Sequence, residues 1–190
     1  AEAGPRAIPL FWSRATMLPS VPTRPPGIAL TAPTKVAAAY MDTKMLEEAK
    51  TELAITLQLN PTQSDAYANL GHIHFRQEHW NKAIEEFDHA IALGSNKPDT
   101  YYFAGLARSK QKAYGEAIPF LQKAVRLRSH KASYHFYLGN AFRHLGSFDE
   151  ALQEFRRTLE IQPMHSQAQN NIGVIFWNLK AYERAEVEFN

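Results

Sequence analysis

The chain has 190 residues, 45% hydrophobic and 21% charged, enough for one compact domain or a short repeat array. Its 21 basic and 19 acidic residues leave a formal net charge of +2, too near balance for a protein that coats nucleic acid. It has no cysteine, which excludes disulfides, thiolate metal sites and cysteine nucleophiles, and its apolar runs fall far short of the ~18–20 residues of a membrane-spanning helix.

The first element is an N-terminal arm over residues 1–29. Pro5, Pro9, Pro19, Pro22, Pro25 and Pro26 lie in it and Pro33 just beyond, so most of the chain's 11 prolines crowd one end. Proline lacks the amide donor and pushes its predecessor away from helix, which predicts an extended or disordered stretch with a domain boundary near residue 30. Residues 1–40 are also basic, with Arg6, Arg14, Arg24 and Lys35 set against Glu2. Its Leu10-Phe11-Trp12 cluster has two readings, a floppy leader or an arm that docks on a neighbouring subunit. The leader is the plainer reading, and docking is the sharper one because leaving such side chains in water costs about 1.5–3 kcal/mol each. The chain begins at Ala1 rather than methionine, so a processed or trimmed terminus is expected. A soluble cytoplasmic chain is favoured on this reading, with export or organelle delivery as the alternatives.

From residue 30 onward the sequence repeats with a period of 34. Ala49, Ala83, Ala117, Ala151 and Ala185 form one column, and Gly71, Gly105, Gly139 and Gly173 another, with Ala37 in the matching place of the first unit. Leu46, Trp80, Tyr114, Phe148 and Tyr182 precede the alanines by three, and Leu53, Phe87, Leu121, Phe155 and Phe189 follow by four. Within a unit the apolar residues fall at helical spacing twice over, as in Leu70, Gly71, His74 and Phe75 and then Trp80, Ala83, Ile84, Phe87 and Ala90. Each unit therefore reads as two helices, whose small residues let the backbones approach while the large ones fill the flanks. Pro61 and Pro163 mark unit boundaries, with Ser95 and Ser129 in the same place elsewhere. Ser147 followed by Glu150 predicts a capping box, and Pro119 falls near the first turn of its helix, where a missing donor costs least.

These columns resemble the tetratricopeptide repeat (TPR) family. The fourth unit carries the family pattern in Leu138-Gly139, Phe142, Ala151, Phe155 and Pro163, and the second in Tyr67, Leu70-Gly71, Ala83, Phe87 and Ala90. The match covers residues 30–190, with units near 30–63, 64–97, 98–131, 132–165 and 166–190. Thr56 and Thr158 depart from the pattern at the second alanine, and Arg108 at an aromatic position. The resemblance implies an all-α fold, a right-handed solenoid of antiparallel helix pairs. The fifth unit reaches Asn190 inside its expected second helix, so either the natural chain is longer or the face of Phe176, Leu179, Val187 and Phe189 packs on something.

The resemblance further implies that successive first helices line a concave groove for other polypeptides. The residues expected there are Asn69, His72, Arg76, Tyr102, Phe103, Lys110, Phe136, Tyr137, Asn140, Arg143, Asn171 and Trp177, with Ser109 and His144 in the same rows. Aromatic rings beside Arg76, Lys110 and Arg143 suit an amphipathic, partly acidic peptide, whose apolar anchors enter the rings while its carboxylates meet the cations. The plainer alternative places Phe75 and Phe136 in the core between repeats and leaves the basic residues as a solvated face. The carboxylate clamp of chaperone-binding TPR proteins has no match in any register, since its cation positions hold residues such as Asp99, Ser133 and Gln167. An asparagine ladder that would hold peptide backbone begins at Asn69 and Asn171 but is interrupted at Phe103 and Tyr137.

No catalytic constellation is apparent. His72 and His74, two apart on a helix, point to different faces, and the glycines are spent on helix crossings. The expectation is a non-enzymatic scaffold without cofactor that binds a peptide or helix of a partner protein and supports assembly of a larger complex. The alternatives are head-to-tail self-association through uncapped ends and the N-terminal arm, or a docking segment of a larger enzyme.

Overall fold

The computed structural model describes residues 46–189, with side chains for residues 46–180. The arm over residues 1–29, its Leu10-Phe11-Trp12 cluster and the first helix of the first unit lie outside the described residues. Eight helices follow in order: α1 (Leu46–Leu59), α2 (Ser64–Arg76), α3 (Trp80–Ala92), α4 (Pro98–Lys110), α5 (Tyr114–Leu127), α6 (Ala132–His144), α7 (Phe148–Ile161) and α8 (Ser166–Phe189). No strand occurs among the described residues. The starts at Ser64, Pro98, Ala132 and Ser166 reproduce the sequence period. Each helix packs on the next in sequence, and α2, α4 and α6 also touch one another, so the first helices lie side by side along one face of an α-solenoid.

The columns explain the packing. Ala49, Ala83, Ala117 and Ala151 are fully buried, as are Leu53, Phe87, Leu121 and Phe155 one turn further on. Each of these large side chains contributes about 1.5–3 kcal/mol by leaving water. Phe87, Leu121 and Phe155 reach the core by lying directly on the first helix of their own unit. A Cβ on Gly71 would sit 2.7 Å from the Phe87 ring, and one on Gly139 would sit 2.9 Å from Phe155. Thr56 and Thr158, in place of alanine, stay buried because their hydroxyls donate to the carbonyls of Glu52 and Glu154 at 2.8 and 2.9 Å. Arg108, in place of an aromatic, is buried with Nη2 donating to both carboxylate oxygens of Asp88 at 2.7 and 2.9 Å and Nη1 to the Ala104 carbonyl, and its guanidinium lies 3.9 Å above the Phe120 ring.

The turn from first to second helix is a Schellman motif in three units. Glu78, Lys112 and Gly146 take φ of 59°, 64° and 78°. The N–H groups of His79, Ala113 and Ser147 reach back to the carbonyls of His74, Arg108 and Phe142. The expected capping box at Ser147 does not form, and the Ser147 side chain makes no capping bond. The reason is local: the Ser147 N–H that Glu150 would accept from is already committed to Phe142. Pro119 lies inside α5, exposed, and the carbonyl it leaves without a donor belongs to exposed Gly115.

The fifth unit departs from the expected helix pair. α8 runs unbroken for 24 residues through Lys180, the place equivalent to Glu78 and Lys112. A left-handed non-glycine residue costs roughly 1–2 kcal/mol. In α3 and α5 that cost is offset because the helix after the turn packs on the next first helix. Among the described residues no helix follows α8, and the backbone stays helical.

Candidate functional site

The side-by-side arrangement of α2, α4, α6 and α8 brings some of the expected groove residues together and buries others. Tyr102 stacks on Tyr134 with ring centroids 4.8 Å apart and meets Tyr137 edge-on at 5.7 Å. Burial, reinforced by the neighbouring tyrosines, pushes the Tyr102 phenol well above its usual range, so it stays protonated. Tyr102 and Tyr137 both keep part of their surface in solvent. The Tyr134 hydroxyl donates to Asp99 at 2.5 Å, and Arg128 approaches the same carboxylate at 3.5 Å, which ties α6 to α4.

Phe103 lies among rings, 4.5 Å from His72 and 5.2 Å from Phe75, and packs on Ala83 and Phe87. His72 in turn is edge-on to Phe87 and Phe103, and burial holds its pKa down to about 4. It is therefore neutral near pH 7 and offers no positive charge to a guest. Phe136 is only 8% exposed and packs on Phe155, in line with the core alternative, showing no more than an edge outward. Asn69 is half-buried on α2, and Arg76 is exposed at its end. Trp177 is 73% exposed on α8 and, like Asn69, His72, Arg76, Tyr102 and Phe103, lines neither of the two hollows between successive first helices.

The first hollow, about 280 Å³, lies between α4 and α6 and is lined by Leu106, Ser109, Lys110, Tyr114, Tyr137, Asn140, Ala141, Arg143 and His144. The second, about 450 Å³, lies between α6 and α8 and is lined by Phe136, Ser166, Gln167, Asn170 and Asn171. Asn171 joins them by donating its side-chain amide to Asn140 at 2.9 Å. The expected Lys110, Tyr137, Asn140 and Arg143 thus converge on one place. Tyr114 completes its wall by stacking on His144, with centroids 4.2 Å apart and planes 5° from parallel. Sequence reading placed Tyr114 in the core column; its position immediately after the turn is the signal that it also reaches the first-helix face. Burial, and then the charge of Arg143, lowers the His144 pKa. Its Nε2 lies 3.3 Å from Arg143 Nη2 and accepts from it.

Among the described residues no three His, Asp or Glu side chains converge as a metal site requires, and no helix is long and apolar enough to cross a membrane. The geometry supplies rings, amides and cations for holding a polypeptide.

Tetratricopeptide repeat models match residues 64–97, 104–163 and 138–190. No curated protein matches the chain by sequence. Among solved structures, the chain is similar to YrrB, described as a TPR protein with an unusual peptide-binding site, at a TM-score of 0.75 and 26% identity over 80% of this chain and 78% of that one. It is similar in fold to MamA, at a TM-score of 0.72 and 22% identity over 81% of this chain and 90% of that one. The TPR domain of Arabidopsis OM64 gives 0.57 and 21% over 60% of this chain and 95% of that one. With glycine, alanine and large-residue columns packed as helix pairs and the repeat models matching through them, the chain belongs to the tetratricopeptide repeat family.

Proposed function

We propose that this chain is a non-catalytic protein-interaction scaffold that holds an extended or helical segment of a partner protein along the face formed by α2, α4, α6 and α8. The observation that carries this reading is the pair of adjoining hollows between successive first helices, lined by Tyr137, Asn140, Asn171, Lys110 and Arg143. Aromatic walls with a few placed polar groups and cations are the usual make-up of a peptide-anchoring surface. The similarity to YrrB, whose peptide-binding site is part of its description, supports the same class of ligand. The bound segment is amphipathic and partly acidic, because Lys110 and Arg143 have no carboxylate partner among the described residues while Tyr102 and Tyr137 offer apolar contact.

Truncating Tyr102 or Tyr137 is a poor test, since both rings also pack on the helix core and their loss would unsettle the fold. A photoreactive benzoylphenylalanine at Gln167 or Asn170, both exposed on α8, probes the face without that cost. The same group at Arg126 or Gln153, exposed on α5 and α7, serves as the control. Crosslinks to one partner from the α8 positions, with few or none from the controls, are expected in the native source. Crosslinks confined to α5 and α7 would move the binding surface to the opposite side and defeat the reading.

A further inference from the structure

The hollow between α4 and α6 has an unusual polar inventory. Its lining carries Lys110 and Arg143 and no acidic residue. Among the described residues, no carboxylate pairs with either cation. The Lys110 ammonium lies 5.9 Å from the Trp80 ring centroid, close enough for a weak cation–π contact that leaves it available to an anion. Arg143 Nε is buried and has no hydrogen-bond partner, although a buried guanidinium N–H normally finds one. The neutral donors agree with the charge. Asn140 accepts from Asn171 through its oxygen, which leaves its amide N–H groups to point elsewhere, and Tyr137 and Tyr114 bring hydroxyls. Lys110 and Arg143 close the last turns of α4 and α6, where positive charge complements the helix dipole. That attraction accounts for each charge singly but not for two cations gathered in one hollow whose lining holds no carboxylate. The terminal carbonyls there are meanwhile capped by the Gln111 and Leu145 N–H groups.

We propose that this hollow receives the oxyanion end of one acidic side chain of the bound segment, a carboxylate or the phosphoryl group of a phosphorylated residue. The proposal rests on the reading of the first-helix face as the partner surface and names its anchor. The Arg143 guanidinium supplies charge from the wall, Lys110 adds charge from the rim, and Asn140 supplies a neutral donor. Leu106, Ala141 and the stacked Tyr114–His144 pair form the dry wall against which the stem of the side chain lies. A carboxylate neutralises one of the two cations and a phosphoryl group both, so the two sources separate by affinity.

The test titrates the chain with two blocked tripeptides, acetyl-Ala-Glu-Ala-amide and acetyl-Ala-phosphoSer-Ala-amide, and follows the Arg143 Nε–H resonance by NMR. Saturable movement with at least one probe is expected, with a dissociation constant of about 1–10 mM, and the tighter probe identifies the source. Arg143→Gln should weaken that binding at least tenfold. Should Arg143→Gln misfold, Lys110→Gln, at an exposed position, should weaken it about threefold with unchanged circular dichroism. A resonance that stays still with both probes, or binding that survives these substitutions, overturns the proposal. If the probes fail while crosslinking still maps to α8, the partner surface stands and only its acidic anchor is wrong. If the probes bind while crosslinks map to α5 and α7, the hollow is an anion site and the partner surface is misplaced.

Discussion

Gly105→Ala is expected to destabilise the protein by about 2 kcal/mol, whereas the same change at Gly173, in the same sequence column, is expected to stabilise it by about 0.5–1 kcal/mol. Inside a helix, alanine is normally the better residue, because glycine loses more backbone freedom on folding. At Gly105 packing reverses that sign. An added Cβ would lie 2.7 Å from the branch carbon of Leu121 and 3.0 Å from the carbonyl oxygen of Ala117, so α5 must retreat from α4. Backbone cannot rotate aside as a ring can, which makes Gly105 less forgiving than Gly71 or Gly139, where the obstruction is a phenylalanine ring. At Gly173 nothing among the described residues lies within 4 Å, and α8 runs unbroken past it. Thermal unfolding should show Gly105→Ala lower by roughly 4–8 °C and Gly173→Ala higher by roughly 2–4 °C at most. Equal effects at both positions would mean that helix propensity, not the crossing, governs this column.

The contrast also shows what the repeat pattern could and could not reveal. Alanine, glycine and large-residue columns spaced 34 apart report on contacts made afresh in every unit, so a single chain contains several readings of each contact. That redundancy made the helix pairs, their starts and the buried columns legible. The fifth unit departs from it: α8 runs unbroken through Lys180, although the sequence column there looks the same as at Glu78 and Lys112. Ser147 misled in a related way. Ser-x-x-Glu is a sound local signal, but the Schellman turn before it had already used the amide that the motif needs.

The site was legible in part. Exposure patterns on a first helix indicated which rows face outward, and Lys110, Tyr137, Asn140 and Arg143 do gather in one hollow. Rings were the harder residues to place. Phe136, Tyr137, Phe103 and Tyr102 occupy adjacent helical positions in two units, and a rotation of some tens of degrees about the axis decides between core and surface. That rotation comes from how α6 sits on α7 and α8, which buries Phe136 against Phe155 and beside His165 while leaving Tyr137 half exposed. Tyr134 and Asp99 form an inter-unit tie that no single-unit pattern contains, because the partners are 35 residues apart and meet only after stacking.

Stability should fall toward acid and again toward alkali, the two limbs set by histidines of opposite character. His72 is enclosed by Phe87 and Phe103, and burial lowers its pKa to about 4, with Lys97 adding to that effect and Asp99 opposing it. Because the unfolded chain takes up this proton near pH 6.5 and the folded chain does not, its contribution is intact above 6.5 and is lost on acidification. The loss amounts to about 2 kcal/mol by pH 5. His74 and His144, also lowered by burial, erode stability in the same direction. His135 behaves in reverse. It is buried, with Nδ1 2.6 Å from a Glu154 oxygen and Nε2 2.9 Å from the Ser129 carbonyl. Both partners only accept, so both ring nitrogens carry protons and the ring is an imidazolium. Burial works against that charge, but the bonds to Glu154 and Ser129 outweigh it and raise the pKa. This contribution is complete below the unfolded value near 6.5 and fades as pH rises through the folded value. Urea denaturation from pH 5 to 8 should therefore trace a dome. His72→Leu is expected to flatten its acid side, leaving the smaller slope due to His74 and His144. Glu154→Gln is expected to flatten the alkaline side, since a neutral amide can donate to Nδ1 and hold an uncharged ring. An acid limb unchanged in His72→Leu would mean that this imidazole is solvated in the folded chain, and the ring cluster between α2, α3 and α4 would then be looser than its contacts indicate.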